Sequence, residues 1–403
     1  MNSVKIQESE LLQRILKPLL AWYEKNRREL EWRQKPLPYY VWVSEIMLQQ
    51  TRVEAVKPYF SRFIRQLPSV RDLALCEEDR LLKLWEGLGY YSRVRNLQKA
   101  ARIVMQQYGG ELPADEKTLR SLPGIGSYTA GAIASIAFGL PAPAVDGNVL
   151  RVLSRILGSE ACIDEPLVKK EFENRIRECY LRMADCTHRS FSPGACNQAL
   201  MELGAVICLP NGSPLCDQCP VRHLCRARSR HLIGQIPVRK QKAKRRREKK
   251  TVLIIRDQDR VLIRKRPDTG LLAGLWELPN VAGHLTADEA IEKTKELGVQ
   301  PVRIRALPEE KHIFTHIEWE MTGYLILVEE MDSDSPEAAG SVIEGQVPGQ
   351  SLTSGCVAVN LQKVQEEYSI PSAFGKYVSW LGIDRLSELK SQTEALIHLE
   401  GEV

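Results

Sequence analysis

Residues Ser121 to Arg155, SLPGIGSYTAGAIASIAFGLPAPAVDGNVLRVLSR, constrain the fold of this chain more than any other stretch. Pro123 stops a helix, and Gly124 and Gly126 permit the positive φ angles or close backbone approach that a side chain would block. Helical spacing resumes at Ala130-Gly131-Ala132-Ile133, which predicts a hairpin between two helices. The second helix begins with free N–H groups, and a helix start of this kind suits a phosphate. Twenty residues past Gly126, Asp146 stands in a Val-Asp-Gly-Asn turn that opens the next helix. A nucleic-acid grip followed by a carboxylate is one reading. An ordinary helical hairpin with a capping Asp is the other, because a short motif of this kind recurs by chance.

At 403 residues, 43% hydrophobic and 27% charged, the chain has the length for two or three domains and the composition of a soluble globular protein. The amphipathic N-terminus MNSVKIQESELLQRILKPLL lacks the long apolar core of a signal peptide or anchor, and no run approaches a bilayer span. The expected location is therefore cytoplasmic. The charge is divided. Residues 1 to 250 hold 42 Lys and Arg against 26 Asp and Glu, a balance of +16, while residues 251 to 403 hold 14 against 25, a balance of −11. The basic part is the candidate for phosphate contact. Its excess includes Arg239 to Arg247, a run too polar to pack that reads as an exposed linker able to touch a nucleic-acid backbone.

Up to about residue 230 the apolar residues recur three and four apart, as in Leu11 to Tyr23, Val41 to Tyr59 and Leu97 to Met105. Breakers separate them at Pro36-Leu37-Pro38, Gly109-Gly110 and Pro141-Ala142-Pro143. Beyond the linker, Thr251 to Ile255, Val261 to Ile263 and Thr322 to Val328 read as strands, with one helix around Ala287 to Leu297. Met331 to Gln350, acidic and rich in Gly, Ser and Pro, reads as a loop.

Two further patterns carry chemistry. Cys208, Cys216, Cys219 and Cys225 follow C-x7-C-x2-C-x5-C, one close pair flanked by two singles. Zinc sites usually show two close pairs, so the thiolate shell of a [4Fe–4S] cluster suits the spacing better, with zinc the alternative. The other cysteines, Cys76, Cys162, Cys179, Cys186, Cys196 and Cys356, default to buried small apolar residues. Glu45 lies inside the apolar run of Tyr40 to Thr51, where desolvation would raise its pKa and hold a proton ready for donation. A surface Glu on an amphipathic helix is the competing reading.

SEIMLQQTRV, LWEGLGYYSRVRN, LPGIGSYTAGAI, VDGNVLRVLSR and the four cysteines, in that order over residues 8 to 230, resemble the endonuclease III superfamily and within it the MutY-type adenine DNA glycosylases. The resemblance implies a mainly α N-terminal part, a helix-hairpin-helix six-helix barrel (about 31–142) plus a helical iron–sulfur domain (1–30 and 143–230). A basic linker (231–250), an α+β Nudix-like C-terminal domain (251–385) and a tail (386–403) would follow. It further implies a monomer acting on double-stranded DNA that carries an adenine mispair, with the target base flipped out, because its edge cannot be reached inside the duplex. By residue, Glu45 matches the general acid that protonates adenine at N7, and Asp146 the carboxylate that stabilises the oxocarbenium-like sugar. Tyr128 stands where strand-cleaving relatives carry a Schiff-base Lys, so the enzyme is expected to be monofunctional. Asn148 and Arg33 match active-site polar residues. Gln50 and Tyr90 match groups that enter the base stack, and Thr51, Leu88, Gly124 and Gly126 fall among the expected DNA contacts.

The second part refines the substrate. Gly270 to Pro279, GLLAGLWELP, resembles the signature of Nudix domains that recognise oxidised guanine nucleotides, yet Asp288 to Gly298 lacks the REXXEE metal box, so a reader rather than a hydrolase is implied. His312-Ile313-Phe314-Thr315-His316 matches the family's Phe-Ser-His loop for 8-oxoguanine, with Phe314 as wedge and Thr315 and His316 as hydrogen-bonding groups. Three features depart from the pattern: seven rather than six residues between the first two cysteines, Thr315 in place of Ser, and an insertion near Ala184 to Ser192. A glycosylase for another mismatched base would not explain the reader. An iron–sulfur DNA-binding or redox-sensing protein would not need Glu45 and Asp146 together.

Overall fold

A computed structural model describes residues 2–187, 191–241, 244–329, 331 and 355–382. Most of the Met331 to Gln350 segment, the C-terminal tail and part of the Ala184 to Ser192 insertion lie outside the described residues. The chain divides into two compact units, residues 1–76 with 92–242, and residues 77–91 with 243–403.

The first unit is helical throughout. Helices Pro38–Leu48, Val53–Gln66, Ser92–Tyr108 and Ser127–Ile136 bury the apolar faces that their spacing promised, with Trp42, Phe60, Phe63 and Val94 fully enclosed. A second core joins the ends of the unit. Leu11, Ile15, Leu19 and Tyr23 of the N-terminal helix Asn2–Asn26 pack with Val149, Leu153 and Ile156 of helix Gly147–Leu157 and with Leu200 and Leu203 of helix Pro193–Val206. The expected hairpin is present. Helix Glu116–Ser121 ends before Pro123, Gly124 takes the left-handed φ of +76°, and Gly126 caps helix Ser127–Ile136 without a side-chain hydrogen bond.

Gly131 explains how tightly that helix seats against the segment leading to Asp146. A Cβ there would lie 1.9 Å from the carbonyl oxygen of Pro143, an impossible approach. Backbone on both sides leaves nothing flexible to give. We expect Gly131→Ala to lower stability by about 3 kcal/mol, read as a lower urea midpoint with an unchanged slope.

The second unit is a seven-stranded sheet. Strands β1 (Arg246–Arg256), β2 (Arg260–Lys265), β3 (Trp276–Glu277), β5 (Pro301–Ile313) and β6 (Ile317–Val328) lie in the order β3-β2-β1-β6-β5. Strand β4 (Asn280–Ala282) pairs with β1, and β7 (Cys356–Asn360) with β2. β1 and β6 run parallel, Arg246 to Arg256 against Ile317 to Leu327, and the other pairs are antiparallel. One face buries Val252, Ile254, Trp319 and Phe374, and the other buries Leu253, Ile255, Ile326 and Ala290 of helix Ala287–Glu296.

Two boundaries differ from the sequence reading. β1 begins at Arg246, inside the supposed linker, because its polar residues find partners in register: Trp319 Nε1 donates to Glu248, and the Lys250 ammonium lies 4.7 Å from the centre of the Trp319 ring. Glu77 to Tyr91 groups with the sheet unit instead of the helical one. Its tie is polar: Lys83 Nζ donates to the Tyr368 carbonyl (3.0 Å), and the Ile370 N–H donates to Glu86 (2.9 Å). Cys76, Cys179, Cys196 and Cys356 are buried as expected, whereas Cys162 is only half-buried, sitting in the turn that precedes helix Pro166–Thr187. Cys186 lies where side chains are outside the described residues.

Candidate active site

A cavity of about 620 Å³ in the helical unit gathers residues from six separate stretches of sequence, among them Arg33, Glu45, Gln50, Thr51, Tyr128, Asp146 and Asn148. Glu45 projects from the middle of helix Pro38–Leu48 and is 5% exposed, which settles its reading as an interior residue. Burial pushes its carboxyl up to about 7, against a smaller opposing pull from the Tyr128 hydroxyl. That hydroxyl donates to Glu45 Oε2 at 2.5 Å, and its own pKa is driven well above the ordinary value by burial and by the two neighbouring carboxyls. Tyr128 is thus a neutral donor that fixes the rotamer of the acid.

Asp146 caps helix Gly147–Leu157, accepting the Val149 N–H at 2.8 Å through Oδ1 and the Asn148 amide at 2.8 Å through Oδ2. Burial raises its pKa, and these hydrogen bonds oppose the rise. The order continues down the helix. Asn148 Oδ1 accepts from Arg151 Nη2 (2.9 Å), and Arg151 Nε donates to the Cys208 carbonyl (2.8 Å). One turn on, Arg155 Nη1 donates to Cys208 Sγ at 3.2 Å.

Two residues the sequence reading passed over complete the cavity. Glu202, fully buried on helix Pro193–Val206, accepts from Arg28 Nε (2.7 Å) and Nη2 (2.9 Å) and from Arg33 Nη2 (2.8 Å). Burial alone would neutralise it, but the two guanidinium groups outweigh burial and hold its carboxyl at about 2. It stays ionised while Glu45 is poised to hold a proton. No local signal could have found it, since the pair joins residues 174 apart in sequence.

Cys208, Cys216, Cys219 and Cys225 line one small cavity together with Arg155, Arg222 and Arg228. Burial pushes the Cys219 thiol up to about 11, so a thiolate there requires a cationic partner. Among the described residues no three His, Cys, Asp or Glu side chains stand close enough to share one ion. Four thiols lining one cavity are a donor set that a thiolate-bound centre, an iron–sulfur cluster or zinc, could use.

The expected wedge residues are marked in the backbone. Gln50 (φ +59°) and Tyr90 (φ +48°) are two of only four non-glycine residues with positive φ among the described residues. Such conformations are costly and gather at functional sites. Tyr90 is 47% exposed, but Leu88, expected to touch DNA, is 7% exposed and turned inward, the left-handed Gly87 and Gly89 on either side reversing the chain around it. In the sheet unit, Thr315 and His316 are exposed at the β5–β6 turn, and Phe314 packs its ring 4.8 Å from that of Trp319. The hydroxyls of Tyr90 and Thr315 meet at 2.8 Å.

Comparison with known proteins identifies the family. Residues 43–178 match the HhH-GPD superfamily of base excision DNA repair proteins, and residues 251–380 match the NUDIX domain. The chain is 39% identical to the adenine DNA glycosylase of Mus musculus over 74% of its own length and 68% of that protein's. The corresponding figures are 35%, 84% and 68% for the Homo sapiens adenine DNA glycosylase, and 33%, 74% and 82% for that of Buchnera aphidicola subsp. Baizongia pistaciae. Among the described residues no helix is long and apolar enough to cross a membrane. With a helical HhH-GPD part followed by a NUDIX region and relatives of this identity over most of its length, the chain belongs to the adenine DNA glycosylases, hydrolases of N-glycosyl bonds that act in base excision repair.

Proposed function

We propose that the enzyme releases adenine paired with 8-oxoguanine, or with guanine, from double-stranded DNA, and that it leaves an abasic site without cutting the strand. The observation that carries this reading is the pair of buried carboxyl groups, Glu45 and Asp146, lining one cavity with a neutral tyrosine at position 128. Glu45 donates its proton to N7 of the flipped adenine. The bond from C1′ to N9 then breaks, its electron pair leaving with the base, and Asp146 faces the positive charge that develops on the sugar. Water adds at C1′ and gives its proton to the Glu45 carboxylate, which restores the starting state. Asn148 holds Asp146 in place, and Tyr128 holds Glu45.

The choice of adenine has a physical basis in the same cavity. Adenine offers a donor, the N6 amino group, beside an acceptor, N1. Glu202 kept ionised and Arg28 kept charged form the matching acceptor and donor. A phenol cannot form an imine with the sugar, so Tyr128 supports the monofunctional character. The cysteines Cys208, Cys216, Cys219 and Cys225 would hold a [4Fe–4S] cluster, which when bound supplies a covalent tie for the loop that follows Val206. Gly124, Gly126 and the uncapped start of helix Ser127–Ile136 would receive a DNA phosphate. Gln50 and Tyr90 would fill the stack, and Phe314, Thr315 and His316 would read the oxidised guanine.

Single-turnover assays on duplexes that differ in one pair test this. Adenine release is expected chiefly opposite 8-oxoguanine, less opposite guanine and least opposite thymine, with breaks appearing only after alkali. Breaks without alkali would overturn the role of Tyr128, and equal release from all duplexes would overturn the reader.

A further inference from the structure

Helix Pro38–Leu48, which carries Glu45, ends in an unusual way. The last four carbonyls of a helix have no partner within it and must be satisfied from outside. Here the Leu48 carbonyl accepts the Thr51 N–H at 3.2 Å, while those of Ile46 (2.8 Å), Met47 (3.1 Å) and Gln49 (2.7 Å) converge on one nitrogen, Nη1 of Arg93. A cation at the negative end of a helix is favourable, and hydrogen bonds from a charged donor are about twice as strong as neutral ones. The next residue after this knot is Gln50, in the left-handed region at φ +59°, followed by Thr51, and both line the catalytic cavity. A non-glycine residue stays in that region only where its surroundings impose it.

We propose that Arg93 is a positioning residue for base extrusion: by tying the carbonyls of Ile46, Met47 and Gln49 it locks the Gln49–Gln50 turn and so presents Gln50 to the base stack. The sequence contains Arg93 in the LWEGLGYYSRVRN motif, where Tyr90 has an evident use and Arg93 does not. It sits at the start of helix Ser92–Tyr108, a rigid 17-residue support. These three contacts are to backbone carbonyls, so they do not depend on the side chains of the turn. The inference rests on the reading of Gln50 as a wedge.

A double-mutant cycle tests it in the full-length protein, using wild type, Arg93→Met, Gln50→Ala and the double variant. The probes are a duplex with adenine opposite 8-oxoguanine for single-turnover release, and the same duplex with 2-aminopurine in place of the adenine, whose fluorescence rises when the base leaves the stack. Arg93→Met is expected to reduce release about tenfold and to suppress the fluorescence gain, with duplex affinity changed little. In the Gln50→Ala background the same substitution should cost less than about twofold, because the part it positions is gone. Arg93→Lys, which keeps the charge but cannot reach every carbonyl, should fall between wild type and Arg93→Met. If Arg93→Met does not fold, Arg93→Lys is carried through the same cycle. Equal losses in both backgrounds would overturn the proposal while leaving the wedge intact. A Gln50→Ala variant with wild-type fluorescence and release would overturn the wedge reading, and the route through Gln50 with it.

Discussion

Replacing Glu45 by Gln should reduce single-turnover adenine release by about 10³-fold or more while leaving duplex binding in place, since a positioned proton donor contributes about 10² to 10⁴. Gln keeps the shape and an acceptor for the Tyr128 hydroxyl but has no proton to give. The same residue fixes the pH dependence. In the wild type, release should fall as the pH rises through about 7, the value to which burial lifts the Glu45 carboxyl. Stability must follow the same group. A folded-state pKa above the ordinary 4.5 means that the fold prefers the protonated form. Its favourable contribution is therefore complete below pH 4.5 and lost as the pH rises through 7, a span worth about 3 kcal/mol. The Glu45→Gln protein escapes that loss, so it should be the more stable of the two at pH 8, with the difference closing below pH 4.5. Urea titrations at both pH values check this. A variant that is inactive and also less stable at pH 8 would show that Glu45 serves packing and not proton transfer.

The second large effect belongs to Glu202. Glu202→Ala strands two guanidinium groups around an enclosed space, and breaking a buried ion pair by removing one partner costs about 3 to 5 kcal/mol. Arg28 is 31% exposed and recovers some hydration, so the lower figure is the expected one. The sign of the linkage is opposite to that of Glu45. The carboxyl is held at about 2, below its ordinary 4.5, so its contribution is complete above pH 4.5 and lost as the pH falls through 2. Wild type should therefore lose this margin between those values, and Glu202→Ala should show a flatter profile there, with adenine release impaired at every pH. Parallel acid unfolding curves for the two proteins would remove Glu202 from this role.

These two acids show what the sequence could and could not disclose. Glu45 was half legible, because the apolar run around it left an interior and a surface placement both open, and the structure encloses it. Glu202 stands in a helix of ordinary composition, and only the chain's return over more than 170 residues brings it to Arg28 and Arg33. Arg93 hides for the same reason, since the carbonyls of Ile46, Met47 and Gln49 that it ties are backbone atoms and leave no trace in side-chain pattern. The hairpin at Gly124 and Gly126 was legible from glycine chemistry, which is local. The start of β1 was not, because Arg246 to Lys250 look like linker until Trp319, on the parallel neighbour, supplies a surface for them. The inward placement of Leu88 was not legible either, because it is set by the left-handed glycines at 87 and 89 and not by its own side chain.

The packing of the N-terminal helix carries a consequence for synthesis. Leu11 to Tyr23 leave the ribosome well ahead of Leu200, Leu203 and Val221, which belong to the core that receives them. Contacts of such long sequence separation form late and slow folding. During translation, at about 5 to 20 residues per second, the apolar stripe of the first helix thus waits on the order of ten seconds or more for its partners. For that interval Glu45 can already sit in its helix, but Asp146 and Glu202 are not yet anchored beside it. The cavity that holds Glu45, Asp146 and Glu202 is consequently incomplete until synthesis has passed Glu202, and the apolar stripe of the first helix stays uncovered until then.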